Sequence, residues 1–164
     1  MHRVLFVDDD EDLRDALALS LHKAGYELEF AAGPPEALEI LATRPVDVVI
    51  SDHLMPGMTG LAFLNLVHDR FPDTIRIMLT GHAETEMAIN AINQGELYRF
   101  LTKPCDPIEL KVTLHLACEK LELERENRRL LALVRSQPEL AARLQAEARE
   151  RLPVAGRRQA PPRE

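Results

Sequence analysis

Four apolar runs in this chain end on side chains that could do chemistry. "VLFV" runs into Asp8, Asp9 and Asp10, "VVIS" into Asp52, "IML" into Thr80-Gly81 and "LYRFLT" into Lys103-Pro104. Each has a plain structural reading when taken alone. Asp10 suits a helix N-cap, a lone Asp after a strand caps a loop, a strand-end Thr bonds the backbone, and Lys-Pro makes a turn. The combination says more, because runs that are parallel strands of one sheet would bring all these groups to one edge. Carboxylates gathered at short range repel one another unless a cation intervenes. Oxygen-only ligands, with room for water and phosphate, suit Mg²⁺.

The rest of the chain supplies elements able to position such a set. Residues 4–7, 26–31, 46–51, 75–80 and 97–102 read as five strands, too apolar for burial on one face only. Helical patterns lie between them. "EDLRDALALSLHKAG" places Leu13, Leu17 and Leu21 on one face and stops at Gly25. "EALEILATR" follows a Gly-Pro-Pro start, and "GLAFLNLVHDRF" and "ETEMAINAINQG" supply the third and fourth helices. Strands alternating with helices of this length predict a parallel sheet covered on both faces, with ligands bound at the carboxyl ends of its strands.

From Pro107 about thirty residues are helix-forming without an internal Gly or Pro, longer than one face of a small sheet requires. Ser136-Gln137-Pro138-Glu139 has a capping-box pattern and predicts a break before a further helix reaching about Leu152. The expected division is therefore 1–122, a helical extension over 123–152, and a Pro-, Gly- and Arg-rich tail over 153–164 that reads as disordered.

Composition excludes several classes. The 164 residues suit one domain with a little over, and the net charge of −7 argues against a direct DNA-binding surface. No stretch approaches membrane-spanning length, and the N-terminal apolar run of four residues is too short for a signal peptide. Cys105 and Cys118 lack CxxC spacing and read as reduced thiols, Cys105 as a small core-facing side chain; a cytoplasmic protein is expected. His22, His53, His82 and His115 show no metal-ligand spacing.

"VLFVDDDEDLR", "VVISDHLMPGMTG", "IMLTGHA" and "YRFLTKP" resemble, in order and spacing, four blocks of bacterial two-component response-regulator receiver domains, over residues 1 to about 122. The resemblance implies an α/β fold, a doubly wound five-stranded parallel sheet of flavodoxin-like order 2-1-3-4-5, here with an extended C-terminal helix. It implies a phosphoprotein and not an enzyme: Asp52 accepts a phosphoryl group from a sensor histidine kinase. It further assigns Asp8, Asp9, Asp52 and the backbone carbonyl of Leu54 to Mg²⁺, and Thr80 and Lys103 to the phosphoryl group. Thr80 and Phe100 would form the switch, and the Lys103–Pro104 bond would be cis.

No helix-turn-helix, P-loop or His-Asp metal pair follows residue 122, so the output is expected through an unknown downstream protein or through dimerisation. The alternative is the receiver portion of a longer regulator whose phosphodiesterase- or ATPase-type output domain is not in this chain. An aspartyl phosphatase would need an acid where Leu54 stands, and acidic loops would repel a flavin phosphate. Leu116, Leu123 and Leu130 fall seven apart, with Lys120, Asn127 and Val134 at the complementary positions, so a parallel coiled-coil homodimer is expected through the long helix. Glu119 and Glu124 would oppose it.

Overall fold

The computed structural model describes residues 1–151; Leu152 and the tail over 153–164 lie outside the described residues. In chain order the elements are β1 (His2–Val7), α1 (Glu11–Leu21), β2 (Tyr26–Ala31), α2 (Pro34–Thr43), β3 (Val48–Asp52) and α3 (Gly60–Arg70). They continue with β4 (Ile75–Thr80), a 3₁₀ turn (His82–Glu84), α4 (Thr85–Asn93), β5 (Arg99–Thr102), α5 (Pro107–Arg135) and α6 (Pro138–Arg151). The five strands are parallel and ordered β2-β1-β3-β4-β5, as the resemblance implies.

Strand periodicity builds two apolar layers. Val4, Phe6, Val48, Ile50, Ile77 and Leu79 point to one face and meet Leu17 and Leu21 of α1 and Leu110, Leu114 and Leu121 of α5. Leu5, Val7, Val49 and Met78 point to the other and meet Ala37 and Leu41 of α2, Phe63, Leu64 and Val67 of α3 and Ala91 of α4. Both faces are therefore covered, which accounts for strands that read as near-continuous apolar runs. Gly25, at φ +81°, takes the chain from α1 towards β2 in a conformation that favours glycine.

Strand ends differ from the sequence reading where backbone groups are used otherwise. β3 starts at Val48, not 46, because Asp47 turns its carboxylate onto the Arg3 amide at 2.8 Å. β5 starts at Arg99, not 97, because the Leu97 amide goes to the Ala91 carbonyl and closes the end of α4. The predicted capping box at Ser136 does not form. Its hydroxyl donates to the Leu133 carbonyl at 2.7 Å, finishing α5, while Gln137 precedes Pro138 at the first position of α6.

The burial of α5 ends at Leu121, and Leu123 is 66% exposed. Contacts within the chain separate at this point into one unit through Glu122 and another from Leu123 onward. Among the described residues no helix is long and apolar enough to cross a membrane. The packing of α5 makes a contrast that can be measured. Leu114 is fully buried while Val112, two residues before it, is half exposed. Leu114→Ala should destabilise the protein by about 2–5 kcal/mol, and Val112→Ala by under about 0.5 kcal/mol, in urea unfolding.

Candidate functional site

The four chemical strand ends meet at the carboxyl edge of the sheet. Asp8 and Asp9 follow β1, Asp52 is the last residue of β3, Thr80 ends β4, and Lys103 comes directly after β5. Asp8 and Asp52 are buried and Asp9 is exposed, yet one carboxylate oxygen from each lies within 4.8 Å of the other two. The Lys103 ammonium spans the two buried carboxylates, 3.2 Å from Asp8 Oδ2 and 3.0 Å from Asp52 Oδ1. The Lys103–Pro104 bond that starts the turn behind it is cis.

Local backbone chemistry fixes each of these groups. The Asp10 amide donates to Asp8 Oδ1 at 2.9 Å, and an Arg14 guanidinium N–H donates to the Asp8 carbonyl at 3.2 Å. Asp10 itself caps α1, its carboxylate accepting from the Leu13 amide at 3.2 Å, so it serves the helix rather than the cluster. The Lys103 amide donates to the Thr80 carbonyl at 2.9 Å and locks β5 to β4 beside the site.

Electrostatics make the cluster demanding. Burial pushes the Asp8 carboxyl above its ordinary range; the Asp10 amide opposes this, the Asp52 charge adds to it, and Lys103 opposes it. Burial alone would lower Lys103, but its hydrogen bond to Asp52 and the charges of Asp8 and Asp52 outweigh that and raise it. One ammonium thus faces three carboxylates. The donor set is hard oxygen throughout, and a second cation would relieve the repulsion, so the residues present fit Mg²⁺.

The remaining candidates lie around this centre. Thr80 is fully buried and its hydroxyl donates to the Gly81 carbonyl at 3.3 Å, a long bond that does not reach the carboxylates. Phe100 is partly buried and packs against the core layer under α2, α3 and α4. Leu54 sits in the loop after β3 and is 64% exposed. Cys105 packs partly into the α1 and α5 layer, and its thiol is pushed up to about 11 by burial and then by Glu109 and Asp106. A thiol so protonated suits core packing and not redox sensing.

Two residues to which the sequence analysis gave no place in the site, His53 and Gly60, hold the loop after β3 in place. His53 is buried, its amide donates to the Leu79 carbonyl at 3.1 Å, and its own carbonyl accepts from the Gly60 amide at 2.8 Å. Its ring Nδ1 also accepts the Leu61 amide at 3.4 Å. Gly60, the first residue of α3, lies so near this backbone that a Cβ there would fall 2.0 Å from the Asp52 carbonyl oxygen. A glycine opening a helix straight after a good cap, Thr59, was the signal in the sequence, since glycine otherwise costs helix stability.

Residues 4–115 match the family model described as the response regulator receiver domain. Among curated relatives, a putative NtrX-like response regulator of Rickettsia bellii is 40% identical over 139 residues, 84% of this chain and 29% of the relative. The C4-dicarboxylate transport transcriptional regulatory protein DctD of Rhizobium meliloti is 40% identical over 127 residues, 77% of this chain and 27% of the relative. The chain thus spans under a third of the length of these relatives. Among solved structures, the signal receiver domain of an HD domain-containing protein from Pseudomonas fluorescens is 41% identical with a TM-score of 0.71, covering 76% of this chain and 92% of that one. NtrX from Brucella abortus, solved with ADP, is 32% identical with a TM-score of 0.73, covering 79% of this chain and 30% of that one.

The close approach at Gly60 reverses a familiar sign. A glycine replaced by alanine in a compatible backbone gains about 0.4–1 kcal/mol. Gly60→Ala should instead lower the urea midpoint below wild type, because the added carbon must displace the backbone of Asp52 and His53.

Proposed function

The chain belongs to the response regulator receiver domain family, and from that premise we propose that Asp52 accepts a phosphoryl group from a sensor histidine kinase. The observation that carries this reading is the Lys103 ammonium held 3.0 Å from Asp52 and 3.2 Å from Asp8, with Asp9 alongside. A solvated loop cap would have no such surroundings.

In the proposed reaction an Asp52 carboxylate oxygen attacks phosphorus in the kinase phosphohistidine. The new O–P bond forms as the P–N bond breaks, and the bonding pair stays on the imidazole nitrogen. Little covalent work is asked of the protein, so its residues position groups and balance charge. Asp8, Asp9, Asp52 and the Leu54 carbonyl would hold Mg²⁺, which supplies charge neutralisation for the incoming phosphoryl oxygens. Lys103 is already directed at Asp52 and would pair with a phosphoryl oxygen. The Thr80 hydroxyl would exchange its weak bond to the Gly81 carbonyl for a bond to that oxygen. That rotation would free space on the β4–β5 edge for Phe100, giving the switch that a downstream partner reads.

Two routes lead onward from the switch. Contact with a separate protein, or self-association, needs nothing outside this chain. The second reading is that these residues are the receiver portion of a longer regulator, favoured by the relatives' being more than three times as long over the matched share. Self-association has its own support, since Leu123 and Leu130 on α5 are 66% and 51% exposed. They take one core position of a two-stranded coiled coil, and Asn127 at the other would fix two helices in register.

Treatment with acetyl phosphate and Mg²⁺ should add one phosphoryl mass to the wild type. Asp52→Asn should add none, and neither should wild type stripped of divalent cations; uptake at wild-type level in the variant would overturn the assignment. Sedimentation of the full chain at tens of micromolar should give a dimer that Leu123→Glu combined with Leu130→Glu converts to monomer. A monomeric wild type, with and without phosphodonor, would remove the coiled coil.

A further inference from the structure

The helical arm from Leu123 onward carries a charge pattern that lies beside the seam of Leu123 and Leu130 and is not part of it. On α5 the residues Glu124, Arg128, Leu131 and Arg135 follow at intervals of four, three and four, which places them on one stripe. On α6 the same intervals recur in Leu140, Leu144, Glu147 and Arg151. All eight are exposed, Leu131 at 48%, Leu140 at 38% and Leu144 at 43%, so the two stripes of one chain do not cover each other.

We propose that the arms of two copies of the chain pair antiparallel about a two-fold axis, the α5 stripe of each on the α6 stripe of the other. Glu124 then faces Arg151 of the second copy, Arg128 faces its Glu147, and Leu131 meets its Leu144. The aliphatic stem of Arg135 lies on Leu140 of the second copy, and Val134 meets its Ala141 beside the leucine pair. The two-fold axis repeats every contact, as an isologous interface requires. Because the second copy follows the reverse path, both halves of the arm are matched whatever the bend between α5 and α6.

Charge fixes the direction and the register. A parallel arrangement of the α5 stripe on itself would set Glu124 on Glu124 and Arg128 on Arg128. Slipping the antiparallel pair by one helical turn sets Glu124 against Glu147 and Arg128 against Arg143. The opposite slip sets Arg128 against Arg151. Like charges disfavour each of these, whereas the proposed register pairs acid with base at both charged positions. The contact is weak, because exposed ion pairs contribute little and Glu124 and Arg128 already interact within the chain. It rests neither on phosphorylation nor on the parallel coiled coil. The stripe can link two chains by itself, or join one coiled-coil dimer to another where copies are concentrated.

The test uses the full chain carrying Leu123→Gln and Leu130→Gln, which removes the apolar seam, at several hundred micromolar by sedimentation velocity. This background should self-associate. Arg128→Glu and Glu147→Arg should each weaken association by about tenfold, because each creates two like-charge contacts per dimer. An equimolar mixture of the two variants should restore it, as should both changes in one chain, and Leu144→Glu should abolish it. General charge effects predict otherwise: Glu147→Arg lowers the net negative charge and would strengthen association while Arg128→Glu weakened it. Closure of α6 onto α5 of its own chain would leave the mixture no better than either variant alone. Either of those results, a monomeric background, or association that survives Leu144→Glu would overturn the pairing. Recovery in the mixture also shows that both variants are folded. Loss of the coiled coil alone reads differently, as a wild type and a background that associate equally.

Discussion

Two buried carboxylates, Asp8 and Asp52, are held at hydrogen-bonding distance from a single ammonium, and the carboxyl edge is organised around that imbalance. Carboxylates taken out of water are costly unless paired and hydrogen-bonded. The chain meets part of that cost with Lys103 and with the Asp10 amide on Asp8. It leaves the rest uncompensated, with Asp9 adding a third charge from the solvent side. A surplus of negative charge in a fixed cage is a standing affinity for a small hard cation and for whatever that cation helps to bind.

Such a cage needs rigid walls, and the parallel sheet provides them. Each residue of the cluster lies at or just past the end of a strand whose neighbours are paired in register, β1 with β3, β3 with β4 and β4 with β5. The two apolar layers keep those strands from shifting along one another, since a slip would turn apolar side chains away from their own layer. Asp10 and Thr59, both helix caps, anchor α1 and α3 at the same edge, so that the helices start where the charges end. The positive ends of those helix dipoles add a modest favourable field for the anions there.

Much of this was legible in the sequence because it rests on local chemistry. Alternation of apolar runs with helical spacing determined the parallel sheet, and charged residues directly after the runs pointed to its active edge. Asp10 read as a helix cap from its position, which the structure bears out, while the choice of Asp8 and Asp9 as the acidic pair came from the family resemblance. What stayed hidden depended on tertiary detail. Asp47 looked like part of a strand until its carboxylate was seen on the Arg3 amide, and Leu97 until its own amide was seen on α4. Ser136 had the right neighbours for a capping box but a better acceptor behind it, the Leu133 carbonyl. At Gly60 the sequence offered only an unusual glycine after the Thr59 cap; the crowding itself arises from two segments seven residues apart folding back to backbone contact.

That fold-back closes the segment from His53 to Gly60 into a hoop, sealed at its base by the Gly60 amide on the His53 carbonyl. The base is what touches Asp52, while Pro56, Gly57 and Thr59 stand largely clear of the core. Length added at the tip of a sealed hoop raises its closure entropy by only about 0.6 kcal/mol per doubling. The tip is therefore a natural grafting point, where a foreign peptide or a reporter could be spliced beside the acidic centre while the seal below keeps the centre's geometry intact.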